Sequence, residues 1–221
     1  MQRKLITTMA VIGGALGAAS SVNAQSYNFA DFSFAPSSGS EGCPLGPLYF
    51  RCQANSAGMV YSSGGVTATV TAGSLTANQD PGEGLGVFNL PTGTGETLVN
   101  WSDDNIGQVG EVLSIAFGNT LNLSSLQINS AAGSGHGTPD ANIPFEVSVN
   151  GGAWGTVLTG ASGFTAFAVA GVNSLSFRLA AQGGQQYYVG AVNAVPEPET
   201  YALMLAGLAA VGYMARRRKS A

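Results

Sequence analysis

Charge is what this sequence has least of. Asp, Glu, Lys and Arg make up 9% of its 221 residues, against about 25% in an ordinary soluble domain. Joined to 45% apolar residues, that scarcity excludes a highly charged disordered chain. Only eight residues are basic, too few to neutralise a phosphate backbone, so nucleic acid is excluded as a partner. One His and two Cys leave little material for a transition-metal centre. A Ser-His-Asp hydrolase would have to use His136. That residue stands in the loop-like stretch Gly133-Ser134-Gly135-His136-Gly137, with no nucleophile-elbow motif beside it. No repeat of fixed period is present, which argues against a solenoid.

The few cations are concentrated at the ends. Arg3 and Lys4 open the chain, and Arg216, Arg217, Arg218 and Lys219 close it, leaving only Arg51 and Arg178 between. Each terminal cluster borders an apolar run, which is a targeting pattern rather than a folding one. At the N-terminus, a positive start, an uncharged stretch over 5–19 and the small-residue ending Val22-Asn23-Ala24 predict a signal peptide over 1–24. Cleavage is expected after Ala24, leaving Gln25 first. The chain is therefore expected to be exported.

The C-terminal segment 195–221 reads in three parts. Val195-Pro196-Glu197-Pro198 begins an extended, helix-resisting stretch to residue 200, because each proline fixes φ and disfavours helix before it. Residues 201–215 carry no charge and predict a single transmembrane helix. Its length of about 22 Å is short for a hydrocarbon core of about 30 Å. Arg216 to Lys219 form a basic stop expected to stay cytoplasmic.

This ending resembles the PEP-CTERM sorting signal of Gram-negative bacteria, through Val195-Pro196-Glu197-Pro198, the Leu/Gly/Ala-rich run and Arg216-Arg217-Arg218-Lys219. The resemblance implies that an exosortase, a membrane-embedded cysteine transpeptidase, recognises the tail and removes it near the motif. This chain would then be the substrate, held transiently at the membrane through 201–215. It further implies a setting of exopolysaccharide, biofilm or floc.

Between the ends, residues 25–194 read as all-β. Val66-Thr67-Ala68-Thr69-Val70-Thr71 alternates, as do Glu111-Val112-Leu113-Ser114-Ile115-Ala116-Phe117 and Phe145-Glu146-Val147-Ser148-Val149, the last meeting the hairpin signal Asn150-Gly151. Residues 164–170, 174–179 and 187–192 continue the series. About ten to twelve short strands point to a β-sandwich, jelly-roll-like, with a β-barrel second and a solenoid third. The aromatic candidates for the core are Phe29, Phe32, Phe34, Phe88, Trp101, Phe117, Phe145, Trp154, Phe164, Phe167 and Phe177. An aromatic of this kind can also serve as a sugar-stacking platform.

Export makes a disulfide between Cys43 and Cys52 the expected use of the two cysteines. Calcium is the expected use of acids, if they bind a metal at all. Asp103, Asp104 and Asn105 lie in a turn-like stretch shortly before Glu111, and Ca²⁺ accepts carboxylate, amide and backbone oxygens. Two basic and ten acidic residues between 25 and 194 give that region a formal charge of −8. Such a domain suits anionic polymers poorly unless cations bridge them. The reading is thus an exported surface or matrix protein with a structural or binding role, not an enzyme. The alternatives are a carbohydrate-active enzyme and a calcium-dependent glycan-binding module.

Overall fold

The computed structural model of the chain describes residues 25–31, 33–41, 52–80, 82–91, 105–131, 140–160, 162–180, 185–195 and 198–219. The chain divides into two units. One holds residues 24–195; the other holds the two terminal segments. Among the described residues the first unit contains twelve strands. They are β1 (Ser26–Asn28), β2 (Ser40–Glu41), β3 (Cys52–Ala54), β4 (Met59–Ser63), β5 (Val66–Thr71), β6 (Leu75–Asp80), β7 (Gly84–Pro91), β8 (Leu113–Ser130), β9 (Pro144–Val149), β10 (Gly155–Leu158), β11 (Phe164–Leu179) and β12 (Tyr187–Val195). The described part of the second unit is one helix, α1 (Pro198–Lys219).

Alternation sets which residues turn inward. In β5, Val66, Ala68 and Val70 are buried while Thr67 is exposed and Thr69 and Thr71 are half-buried. The β4–β5 hairpin closes on Gly64 and Gly65, at φ 57° and 82°. A two-residue type I′ turn needs positive φ at both positions, which Gly adopts without strain. The expected turn after β9 forms at Asn150 and Gly151, φ 52° and 69°. The Asn150 carboxamide then braces a neighbouring strand. Its Oδ1 accepts the Asn173 and Ser174 N–H groups at 2.7 and 3.1 Å, and its Nδ2 donates to the Gly171 carbonyl at 2.9 Å.

The strands form an open antiparallel sheet in the order β10-β9-β11-β8-β12-β7-β6-β3-β2. β1 is laid on β12, and the β4–β5 hairpin on β8 through β5. The sequence splits β11 into two runs, 164–170 and 174–179; the structure joins them. β8 likewise continues past the expected end at Phe117. The first part of β8 lies between β5 and the end of β11, and its later part lies between β12 and the start of β11. An 18-residue strand would run about 60 Å if straight. Three register shifts against β11 break the pairing locally and allow the pair to bend.

Among the described residues, the core holds two aromatic groups. Tyr27, Phe29, Phe34, Tyr61 and Phe117 pack together, some stacked and others edge-on or tilted, with ring centroids 5.0–6.2 Å apart. Phe145 lies 6.3 Å from Phe177 and 5.9 Å from Tyr187. Of the aromatics expected inside, Phe29, Phe88, Phe117, Phe145 and Phe177 are buried, and Phe34 and Phe167 pack partly against the core. Phe164 is 47% exposed and is not a core residue. Phe32 and Trp101 lie outside the described residues.

Candidate functional site

The tail is more helical than its prolines suggest. α1 takes in Pro198, Glu199 and Thr200, and extends through the basic block to Lys219. The helix-resisting stretch expected up to residue 200 therefore ends earlier. Pro198 sits at the first helical position, where a missing N–H costs nothing and the fixed φ suits the helix. Met204, Leu205, Leu208, Val211, Tyr213 and Met214 are all exposed, with no polar stripe among them. Among the described residues, no helix is long and apolar enough to cross a membrane. The polar first turn and the closing Arg-Lys block dilute the uncharged centre. Arg216 is exposed. Pro196, Glu197 and the side chains of Pro198, Arg217, Arg218 and Lys219 lie outside the described residues, as do the signal segment and Ala24.

The start of the motif belongs to the sheet. Val195 is the last residue of β12 and pairs with Asn122 of β8. Antiparallel pairing sets Ser26 opposite Asn193, and the Ala194 N–H donates to the Gln25 carbonyl at 2.8 Å. Asn193 is tied on both sides. Its Oδ1 accepts from Ser26 Oγ at 2.7 Å, and its Nδ2 donates to Ser125 Oγ at 3.1 Å. Its carbonyl accepts from Ser124 Oγ at 3.2 Å. Gln25, the expected mature N-terminus, thus lies beside the start of the sorting segment.

Of the candidate calcium ligands, Asp103 and Asp104 lie outside the described residues. Asn105 and Glu111 flank one loop, and both are buried. Glu111 Oε2 accepts the Gly107 and Gln108 N–H groups at 2.9 and 2.8 Å, so this carboxylate braces the loop's backbone. Ile106 joins the loop to Tyr187 through reciprocal backbone bonds of 2.8 and 3.3 Å. The loop borders a cleft of about 430 Å³ whose far wall is the β5–β6 turn at Gly73 and Ser74. Among the described residues, no group of three or more His, Cys, Asp or Glu could hold a metal ion. Cys52 is buried on β3; Cys43 and His136 lie outside the described residues.

A charged and aromatic group occupies one face of β9 and β11. Arg178 and Glu146 are register partners, joined by an Nε–Oε2 bond of 2.6 Å. The Arg178 guanidinium also lies 4.3 Å from the Trp154 ring centroid, a cation–π distance. Ser148, Ser176 and Ser114 continue across neighbouring strands on the same face, in register.

Among the described residues, four buried tyrosines were not among the expected core aromatics: Tyr27, Tyr61, Tyr187 and Tyr188. Three have hydroxyl partners far away in sequence: the Val66 carbonyl for Tyr27, Gln79 Oε1 for Tyr61 and the Arg178 carbonyl for Tyr187. Burial pushes the Tyr27 hydroxyl up to about 12 and raises Tyr61 further. Burial, then the Glu146 carboxylate, raises Tyr187. Gln79 was also unforeseen; its Nε2 donates to the Phe29 and Phe34 carbonyls, both at 2.8 Å, pinning the segment after β1.

Residues 194–219 match the family model of the PEP-CTERM protein-sorting motif. The match covers the residues on which the resemblance rests. No curated protein and no solved structure matches the chain. The motif supports an exported protein sorted by an exosortase, with membrane-associated sorting towards the cell surface.

Proposed function

We propose that this chain is a cell-surface or extracellular-matrix protein whose sheet domain acts by binding or structure, not catalysis, in an exopolysaccharide layer. The observation that carries the proposal is the sorting motif, joined directly to an acidic sheet domain. Residues 1–24 direct export, and the helical tail holds the precursor at the membrane transiently through its uncharged centre. An apolar surface on every side suits a helix in lipid better than one in water. The exosortase then takes the tail. We also propose that the bent β8–β11 pair folds the sheet into a jelly-roll-like sandwich. In support, β6, β9 and β12 bury residues on both faces, which calls for a covering layer on each side.

Trp154, Arg178 and Glu146 favour a glycan as the ligand of the domain. An indole offers a sugar a stacking surface, and a paired cation and carboxylate offer a donor and an acceptor without net charge. An uncharged polysaccharide fits such a group better than an anionic one. Calcium at Asp103, Asp104, Asn105 and Glu111 would belong to the same glycan-binding reading, with Ca²⁺ ordering the loop. A disulfide between Cys43 and Cys52 fits the exported setting.

Mass spectrometry of the protein isolated from its host tests the reading. Both ends should be missing, and the disulfide should remove two hydrogens. An intact C-terminal tail on the surface form would defeat the sorting claim. Co-sedimentation of the exported protein with the host's exopolysaccharide, lost on Trp154→Ala, is expected of the binding role.

A further inference from the structure

The sorting segment begins inside the sheet. The matched region starts at residue 194, whereas β12 runs to Val195 and α1 starts at Pro198. Only two residues separate strand from helix, so the Cα atoms of Val195 and Pro198 lie at most about 11 Å apart. A peptide-cleaving enzyme takes its substrate as extended backbone whose N–H and C=O groups are open to pairing. So short a connection cannot cross an active-site cleft while both flanks stay folded.

The sheet flank has a built-in point of weakness. The β12–β8 register is irregular between Asn193 and Ala194. Beyond it, Ala194 and Val195 pair only with Leu123 and Asn122 at the end of the β12–β8 ladder, the Ala194 N–H donates to the Gln25 carbonyl, and Val195 is 45% exposed. Before it, Asn193 is held by Ser26, Ser124 and Ser125. We propose that the folded sheet holds back the start of the sorting segment, Ala194 and Val195. Ala194 and Val195 must leave β1 and β8 before the exosortase takes the tail, and Asn193 is the positioning residue that sets how often they do.

The inference rests on reading the tail as an exosortase substrate. Cleavage breaks one backbone C–N bond. The enzyme's thiol adds to the carbonyl carbon, the tail leaves as an amine that takes up a proton, and water or an acceptor amine releases the acyl group. Asn193 takes no part in that chemistry. It controls how long the backbone is available to it.

The test is pulse-chase processing of the full chain in its host, read by mass, with an exosortase-deficient strain alongside. Asn193→Ala removes two side-chain hydrogen bonds and should speed processing by at least about fivefold, the factor expected from one of them in an opening equilibrium. Ser26→Ala, a milder change that removes one of the same bonds, should act in the same direction if Asn193→Ala fails to fold. A Gly-Ser-Gly-Ser insertion between Val195 and Pro196 should also speed processing and abolish any further gain from Asn193→Ala. A merely structural role for Asn193 would not be cancelled by slack downstream. Exosortase-dependent processing that neither Asn193→Ala nor the insertion accelerates overturns the inference and points to unwinding of α1 instead. Wild-type processing that is unchanged in the deficient strain overturns the reading of the tail itself, and the inference with it.

Discussion

In the sheet, Leu113, Ile115 and Phe177 are fully buried, whereas in α1 Leu205, Leu208 and Val211 are 62%, 62% and 53% exposed. The two regions use similar side chains, so hydrophobicity alone does not decide their fate. What differs is pattern. In strands such as β5, apolar residues alternate with Thr, so pairing strands gathers them on one side. In α1 they surround the axis, and no way of packing one face would cover them all. The first region gathers its apolar side chains within itself; the second leaves Leu205, Leu208 and Val211 exposed.

The contrast breaks most sharply with a pair of truncations. Phe177→Ala, in contact with Phe145, should cost about 3–5 kcal/mol in denaturant unfolding of the full chain. Leu208→Ala should change that same transition by no more than about 0.5 kcal/mol. Equal losses would mean that the helix shares the sheet's core.

Alkaline pH should test the sheet alone. The folded state keeps the Tyr27 proton after the unfolded chain has lost it, because its hydroxyl is pushed from 10.0 up to about 12. A raised pKa gives a contribution that is complete below pH 10 and lost as the pH climbs towards 12. Stability should fall by about 1.4 kcal/mol per pH unit in that window for each tyrosine so held. Tyr27→Phe should remove one tyrosine's share of the slope. Circular dichroism melts across the window would show it, and an unchanged slope would place the hydroxyl in water.

The smallest effect sharpens the comparison at a loop. Glu111→Gln keeps an acceptor oxygen for Gly107 and Gln108 but removes the charge, at an expected cost of about 1 kcal/mol. If Glu111 only braces its loop, the cost will be the same in chelator and in Ca²⁺. A loss confined to Ca²⁺ would make it a metal ligand.

Local pattern was readable in the sequence, and distant partnership was not. Val66 to Thr71 and Phe145 to Val149 were legible as strands because a period of two survives in them. Asn150-Gly151 was legible as a turn because few residue pairs accept positive φ. The continuation of β8 through Gly118-Asn119-Thr120 was not, since three exposed residues in succession erase the alternation. The buried tyrosines were missed for another reason. A phenol inside needs a partner for its hydroxyl, and Val66, Gln79 and Arg178 become neighbours of Tyr27, Tyr61 and Tyr187 only in the fold. In the tail, the basic stop and the uncharged run were plain from composition. The start of α1 was not, because Pro reads as a helix breaker unless its place in the first turn is known. At the candidate calcium stretch, Glu111 was identified as an acid, but its loop-bracing bonds were invisible until Gly107 and Gln108 were seen against it.

The pairing of β1 with the end of β12 also has a mechanical side. Residues 25 and 194 sit together, so a pull that separates them acts across the β1–β12 ladder and loads its bonds one after another, as in unzipping. A protein tethered by one terminus and dragged by the other would therefore yield first at that seam. The long β8–β11 pair, which neither end grips directly, would keep its register longer.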